Sequence, residues 1–123
     1  MLKRLFSRGH GETLEVAITK PSSGAVVPER PDIAGIVTDS SVVVWVVVHP
    51  LKVADYWVQP RLTVGNDGSW RVKVYIGRPD RDHGEEFEIM AVANPRRRLH
   101  EGDILPYWPK AKARSNVIEV TRE

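Results

Sequence analysis

An all-β, antiparallel two-sheet sandwich is the fold class this sequence predicts. Three observations carry the prediction. No segment shows sustained helical periodicity, and β-branched residues dominate every apolar cluster. Gly, Pro, Asn, Asp and Ser separate these clusters at intervals of roughly ten residues. About seven short strands at that spacing make a sandwich. A five-stranded OB barrel is the competing architecture. The number of strands, and the lack of a helix between the third and fourth, favour the sandwich. The 123 residues suffice for one domain. Residues 1–12 read as an N-terminal tail, 13–121 as the sandwich and 122–123 as a C-terminal tail.

The strands follow in order. TLEVAI (Thr13 to Ile18) alternates and ends at the turn PSSG (Pro21 to Gly24); Ala25 to Val27 continues it briefly before Pro28. DIAGIV (Asp32 to Val37) is next, its Gly35 marking a bulge or a close backbone approach. After the turn TDSS (Thr38 to Ser41), Val42 to Val48 is the central strand, ended by Pro50. YWVQ (Tyr56 to Gln59) is short and stopped by Pro60. RLTV (Arg61 to Val64) leads into Asn66, Asp67 and Gly68, residues that tolerate positive φ in a hairpin. SWRVKVYI (Ser69 to Ile76) alternates cleanly, with Trp70, Val72 and Val74 on one face and Arg71, Lys73 and Tyr75 on the other. EFEIMAVA (Glu86 to Ala93) points Phe87, Ile89, Ala91 and Ala93 one way. A long loop, Asn94 to Ser115, carries PRRR and LPYWP, and VIEVT (Val117 to Thr121) closes the fold.

The runs ITKPSSGAVV, IAGIV, VVVWVVVHP, YWVQP, NDGSW, VYIG and FEIMAVA together resemble a bacterial immunoglobulin-like domain of the fibronectin type III-like sandwich group. The resemblance spans Leu14 to Thr121. It rests mainly on the opening I-x-x-P-x-x-G-x-x-V … I-x-G-x-V and the middle G-x-D-G-x-W. It implies a core tryptophan on the third main strand, at Trp45. The cysteine pair of antibody-type domains is absent, so the likeness is to the disulfide-free kind. Such domains serve as adhesion, spacer or docking modules.

Composition narrows the rest. The chain has no cysteine, which removes disulfides and thiolate metal sites and fits a reducing compartment. MLKRLFSRGHGE has a basic start but no apolar stretch of signal-peptide length, so a cytoplasmic location is expected, with export only by a non-classical route. The longest apolar run, Val42 to Val48, is far below the roughly 18 residues of a membrane span. A formal net charge of +2 is a mild excess, not the footprint of a dedicated nucleic-acid binder.

Catalytic patterns are missing. His10, His49, His83 and His100 are not spaced as metal ligands on one element, and no metal or cofactor is expected. Asp80, Asp82, His83, Glu85 and Glu86 share a loop, but Arg78 and Arg81 interrupt them, which reads as a solvated acidic turn rather than a calcium loop. Neither a G-x-S-x-G elbow nor a glycine-rich phosphate loop occurs. The protein reads as a non-enzyme.

VVVWVVVHP does not alternate, so an apolar row lies on each face of the central strand, whichever way Trp45 points. Met90 and Val92 add to the row turned away from Phe87 and Ile89. The resulting patch, on the order of a few hundred Å², has the size of a contact surface. Either the chain covers it, through LPYWP (Leu105 to Pro109) or through Leu2, Leu5 and Phe6, or a partner does. The expected function is a non-enzymatic binding or assembly module, contacting a protein partner or a second copy through this face and the aromatic loops. Tyr56, Trp57, Gln59, Tyr107 and Trp108 are the contact residues, since aromatics concentrate interface energy. Arg96, Arg97 and Arg98, followed by Lys110, Lys112 and Arg114, give an alternative: a nucleic-acid-associated surface with Trp108 as stacking platform. A structural part of a virion or secretion-type assembly is a further alternative.

Overall fold

The computed structural model describes residues 13–123. Leu2, Leu5, Phe6 and His10 lie outside them. The strands in chain order are β1 (Val16–Lys20), β2 (Ala25–Val27), β3 (Asp32–Val37), β4 (Val44–Pro50), β5 (Tyr56–Val58), β6 (Ser69–Lys73), β7 (Glu86–Pro95), β8 (Ile104–Leu105), β9 (Ala111–Arg114) and β10 (Ile118–Arg122). Among the described residues there is no helix, hence none long and apolar enough to cross a membrane.

The small sheet has the order β1-β3-β6 and the large one the order β2-β10-β7-β4-β5-β8, with β9 also pairing β7. All pairings are antiparallel except that of β2 with β10. The chain is an all-β sandwich, as its sequence predicts. Three short strands account for the excess over seven. β2 is the brief continuation of the first strand, moved to the other sheet. β8 and β9 arise inside Asn94–Ser115, expected as a loop.

β9 and β10 are two halves of one edge along β7. β10 pairs its first half, at Glu86 to Ile89, and β9 its second, at Val92 to Pro95. Ser115 spans the break. Its N–H donates to the Ala91 carbonyl at 2.8 Å, and its Oγ accepts from the Ala91 N–H at 2.8 Å, replacing the missing backbone acceptor. The last strand runs one residue beyond the expected end. Arg122 belongs to it rather than to a tail, and its buried guanidinium Nη1 donates to the carbonyls of Ile76 (2.9 Å) and Arg78 (3.0 Å).

Arg61–Val64, expected as a strand, joins no ladder. Pro60 removes a donor at its start. The segment crosses instead from the large sheet, where Gln59 N–H meets Val46 O, to the small one, where Gly65 N–H meets Ser69 O. Leu62 and Val64 turn into the core on the way. The expected turn is present. Gly68 has φ +84°, and Asp67 Oδ1 accepts from Ser69 Oγ (2.7 Å) and Ser69 N–H (3.0 Å), which holds its carboxyl below the usual value.

Between the sheets lie Trp70, Val72 and Val74 with Phe87, Ile89, Ala91 and Ala93, the faces that alternation assigns inward. β4 contributes Val44, Val46 and Val48 to this core. Trp45 therefore points the other way, with Val47, which corrects the expectation of Trp45 as the tryptophan between the sheets. Trp70 fills that place. It lies opposite Gly35 in the β3–β6 ladder with its ring against the Gly35 backbone, so Gly35 is a site of close approach. A register irregularity in β1 between Ile18 and Lys20 adjoins it.

The loop after β6 is tied by an ion pair. Arg78 grips Asp82 through Nε (3.1 Å) and Nη2 (3.1 Å), and the Arg78 N–H adds a bond of 2.8 Å. These bonds lower the Asp82 carboxyl from its ordinary 3.8 to about 2. A folded value below the unfolded one stabilises the fold above the unfolded value and ceases to do so as pH falls toward the folded one. In urea titrations, the advantage of the wild type over Asp82→Asn should be constant above about pH 5 and shrink to nothing between about pH 4 and pH 2. An advantage unchanged across that window would rule out the carboxylate as its source.

Candidate functional site

The outer face of β4 and β7 is covered by the chain itself. Trp45, Val47, Met90 and Val92 are buried there beneath Leu99, Leu105, Trp108 and Ala111. The cover is a third layer, built from the segment expected as a loop, and backbone bonds clamp it. Arg96 N–H donates to Lys110 O (2.9 Å), Val58 N–H to Asp103 O (2.9 Å) and Gly102 N–H to Val58 O (2.9 Å). The expected contact surface on this sheet face is therefore not exposed. A strand apolar on both faces is buried on both.

The expected contact residues separate into two groups. Tyr56 and Trp108 belong to the cover. The Tyr56 ring stacks on His49 at 3.9 Å between centroids, and Trp108 meets Tyr56 edge-on at 4.8 Å. His49 is held in this cluster by both ring nitrogens. Nδ1 lies 3.0 Å from Glu88 Oε1 and Nε2 lies 2.8 Å from Val53 O. Gln59 is also internal, at 4% exposure. Its Oε1 accepts from Tyr75 N–H (2.8 Å) and its Nε2 donates to Trp57 O (3.2 Å), tying the main chain after β6 to β5. Trp57 (39%) and Tyr107 (61%) remain exposed.

Trp57 borders a cleft of about 710 Å³ at the mouth of the sandwich. Its apolar base is Val48, Val58 and Phe87, where β4, β5 and β7 approach the end of the small sheet. Pro50 and Pro60 stiffen its sides, and Tyr75, 49% exposed, stands on its rim with the Arg30 guanidinium over its ring at 3.7 Å. Five carboxylates line it, from Asp55, Asp82, Glu85, Glu86 and Glu101, against two cations, Lys52 and Arg78. Lys52 pairs with Glu85 at 3.0 Å and Arg78 with Asp82 at 3.1 Å. Asp55, Glu86 and Glu101 enter no ion pair among the described residues, so the cleft is acidic. Tyr75 is not among the expected contact residues, although alternation gives it an outward phase; Glu86 is expected only in a solvated acidic turn, and the fold places it in the wall of the cleft.

The arginines gather elsewhere. Arg97 and Arg98 line a second pocket, of about 380 Å³, with Arg61, Val43, Trp45, Asn94, Pro95 and Leu99. Arg96 is exposed but is not part of its wall. Trp108, the stacking platform of the nucleic-acid reading, lies with the cover over β4 instead. Among the described residues, no three His, Asp or Glu side chains converge as a metal site. No protein-family model matches the chain, and no curated protein matches it significantly in sequence.

Proposed function

We propose that the chain is an immunoglobulin-like, non-enzymatic binding module that takes a basic, partly apolar segment of a partner protein into the cleft between Trp57 and Tyr75. The immunoglobulin-like reading is supported by the division of the first edge between the two sheets, with β2 running parallel to the last strand. The observation that carries the binding reading is the pair of exposed rings, Trp57 and Tyr75, on the wall of a cleft with an apolar base. The carboxylates of Asp55, Glu86 and Glu101, in no ion pair among the described residues, set the charge of the partner, since opposite potentials select partners and steer encounter.

Synthetic peptides that share apolar positions and carry lysine, serine or glutamate between them test this reading. In NMR titrations the lysine series should shift the amides of Trp57, Tyr75 and Gly77 saturably, and the glutamate series should not. Trp57→Ala and Tyr75→Ala should each weaken the lysine peptide by about tenfold, the effect of removing an aromatic anchor. Shifts elsewhere, or none at millimolar peptide, would refute it.

A further inference from the structure

The second pocket carries an independent inference. Arg61, Arg97 and Arg98, all exposed, line one surface pocket, and among the described residues none of them enters an ion pair. Three cations on the wall of one pocket make it electropositive and favour an anion there. The nearby carboxylate of Glu101 is turned to the Arg61 main-chain N–H at 3.4 Å.

The frame of the pocket is built rather than draped. Arg61 lies over the ring of the buried Trp45, 5.6 Å from its centroid. At the end of β7, Asn94 N–H donates to Val43 O (2.8 Å) and Asn94 Oδ1 accepts from Val43 N–H (3.1 Å). That pair anchors the turn from which Arg97 and Arg98 project. The volume, about 380 Å³, lies at the lower end of the range that holds small organic ligands, about 300–1,000 Å³.

From these features we infer that the pocket binds a phosphomonoester dianion, its phosphate among the three arginines and its organic part against the exposed Val43. Guanidinium forks match phosphate oxygens in pairs. A lone carboxylate is satisfied by one fork and leaves two arginines without a partner, whereas a dianion with three terminal oxygens engages all three. A nucleic-acid strand offers one charge per phosphate and needs exposed rings for its bases. Trp45, the ring among the lining residues, is buried beneath Arg61, and Trp108 lies with the cover over β4, so the pocket wall offers no exposed ring.

Calorimetry of the full chain with phenyl phosphate, inorganic phosphate, benzoate and phenol tests the inference. Phenyl phosphate should bind saturably at one site, inorganic phosphate and benzoate more weakly, and phenol not at all. Arg97→Gln and Arg98→Gln should each weaken phenyl phosphate by about tenfold, the loss expected for a charge-assisted bond. Arg96→Gln removes the same charge outside the wall and should change affinity less than about twofold. Equal weakening by Arg96→Gln would mean bulk charge rather than a site and would overturn the inference, as would a non-saturating response. Tighter binding of an oligonucleotide without a terminal phosphate, lost in the same variants, would overturn it in favour of a nucleic-acid surface.

Discussion

Gly35→Ala is expected to destabilise the sandwich by about 3 kcal/mol or more, above the ordinary cost of overpacking. The added methyl would fall inside van der Waals contact of two groups at once, the Ala17 carbonyl oxygen and the Trp70 ring. Neither has room to retreat. Ala17 O belongs to the β1–β3 ladder, and Trp70 is 4% exposed in the middle of the inter-sheet core. The indole Nε1–H is buried there without an acceptor among the described residues. In a domain of this size the loss corresponds to a fall in melting temperature of roughly 10 °C or more. Thermal unfolding followed by near-ultraviolet circular dichroism measures it. A fall of only a degree or two would mean that β1 and Trp70 yield easily, and the rigidity assigned to the small sheet would have to be abandoned.

Trp45→Ala is expected to cost about 3–5 kcal/mol, the usual range for deleting a buried large aromatic. Its second effect is more diagnostic. Trp45 lies at the centre of the cluster beneath Leu99 and Leu105, on which the cover over β4 and β7 rests. Without it the cover loses its apolar seat while the inter-sheet core keeps every member. Hydrogen exchange should then quicken at the amides of Arg96, Val58 and Gly102, whose acceptors clamp the cover, and remain slow at Val46 and Ile89 in the centre of the large sheet. Uniform quickening would show that the third layer unfolds with the sandwich rather than on it. The arginine pocket should weaken together with the cover, since Trp45 is its floor.

Much of the sandwich was legible because the pleat is a local property. Along Ser69–Lys73 and Glu86–Ala93, alternation states which side chains share a face, and the folded chain puts those faces together. Turn residues marked the strand ends for the same reason, as Gly68 with its positive φ shows. β4 resisted. An unbroken apolar run has a period but no phase, so nothing within Val42–Val48 says whether Trp45 or Val46 meets the small sheet. The segment Asn94–Ser115 reads as a loop because its strands are two and four residues long, too short to show alternation. Of the expected contact residues, Trp57 and Tyr107 stand at the surface. Tyr56, Gln59 and Trp108 were read as contacts from residue type alone, and type does not distinguish a ring that seals a core from one that meets a partner.

By itself, then, the sequence determined an all-β chain, the places of most strands and the inward faces of those that alternate, since each depends on neighbours within a few residues. The orientation of Trp45, the third layer over it, the acidic cleft and the arginine pocket were decided only by tertiary structure. The cleft joins Trp57, Tyr75 and Glu86, and the pocket joins Arg61 to Arg97 and Arg98. Contacts between residues so distant along the chain are set by strand register and by the path of Asn94–Ser115 across the large sheet, and neither is written in any one segment.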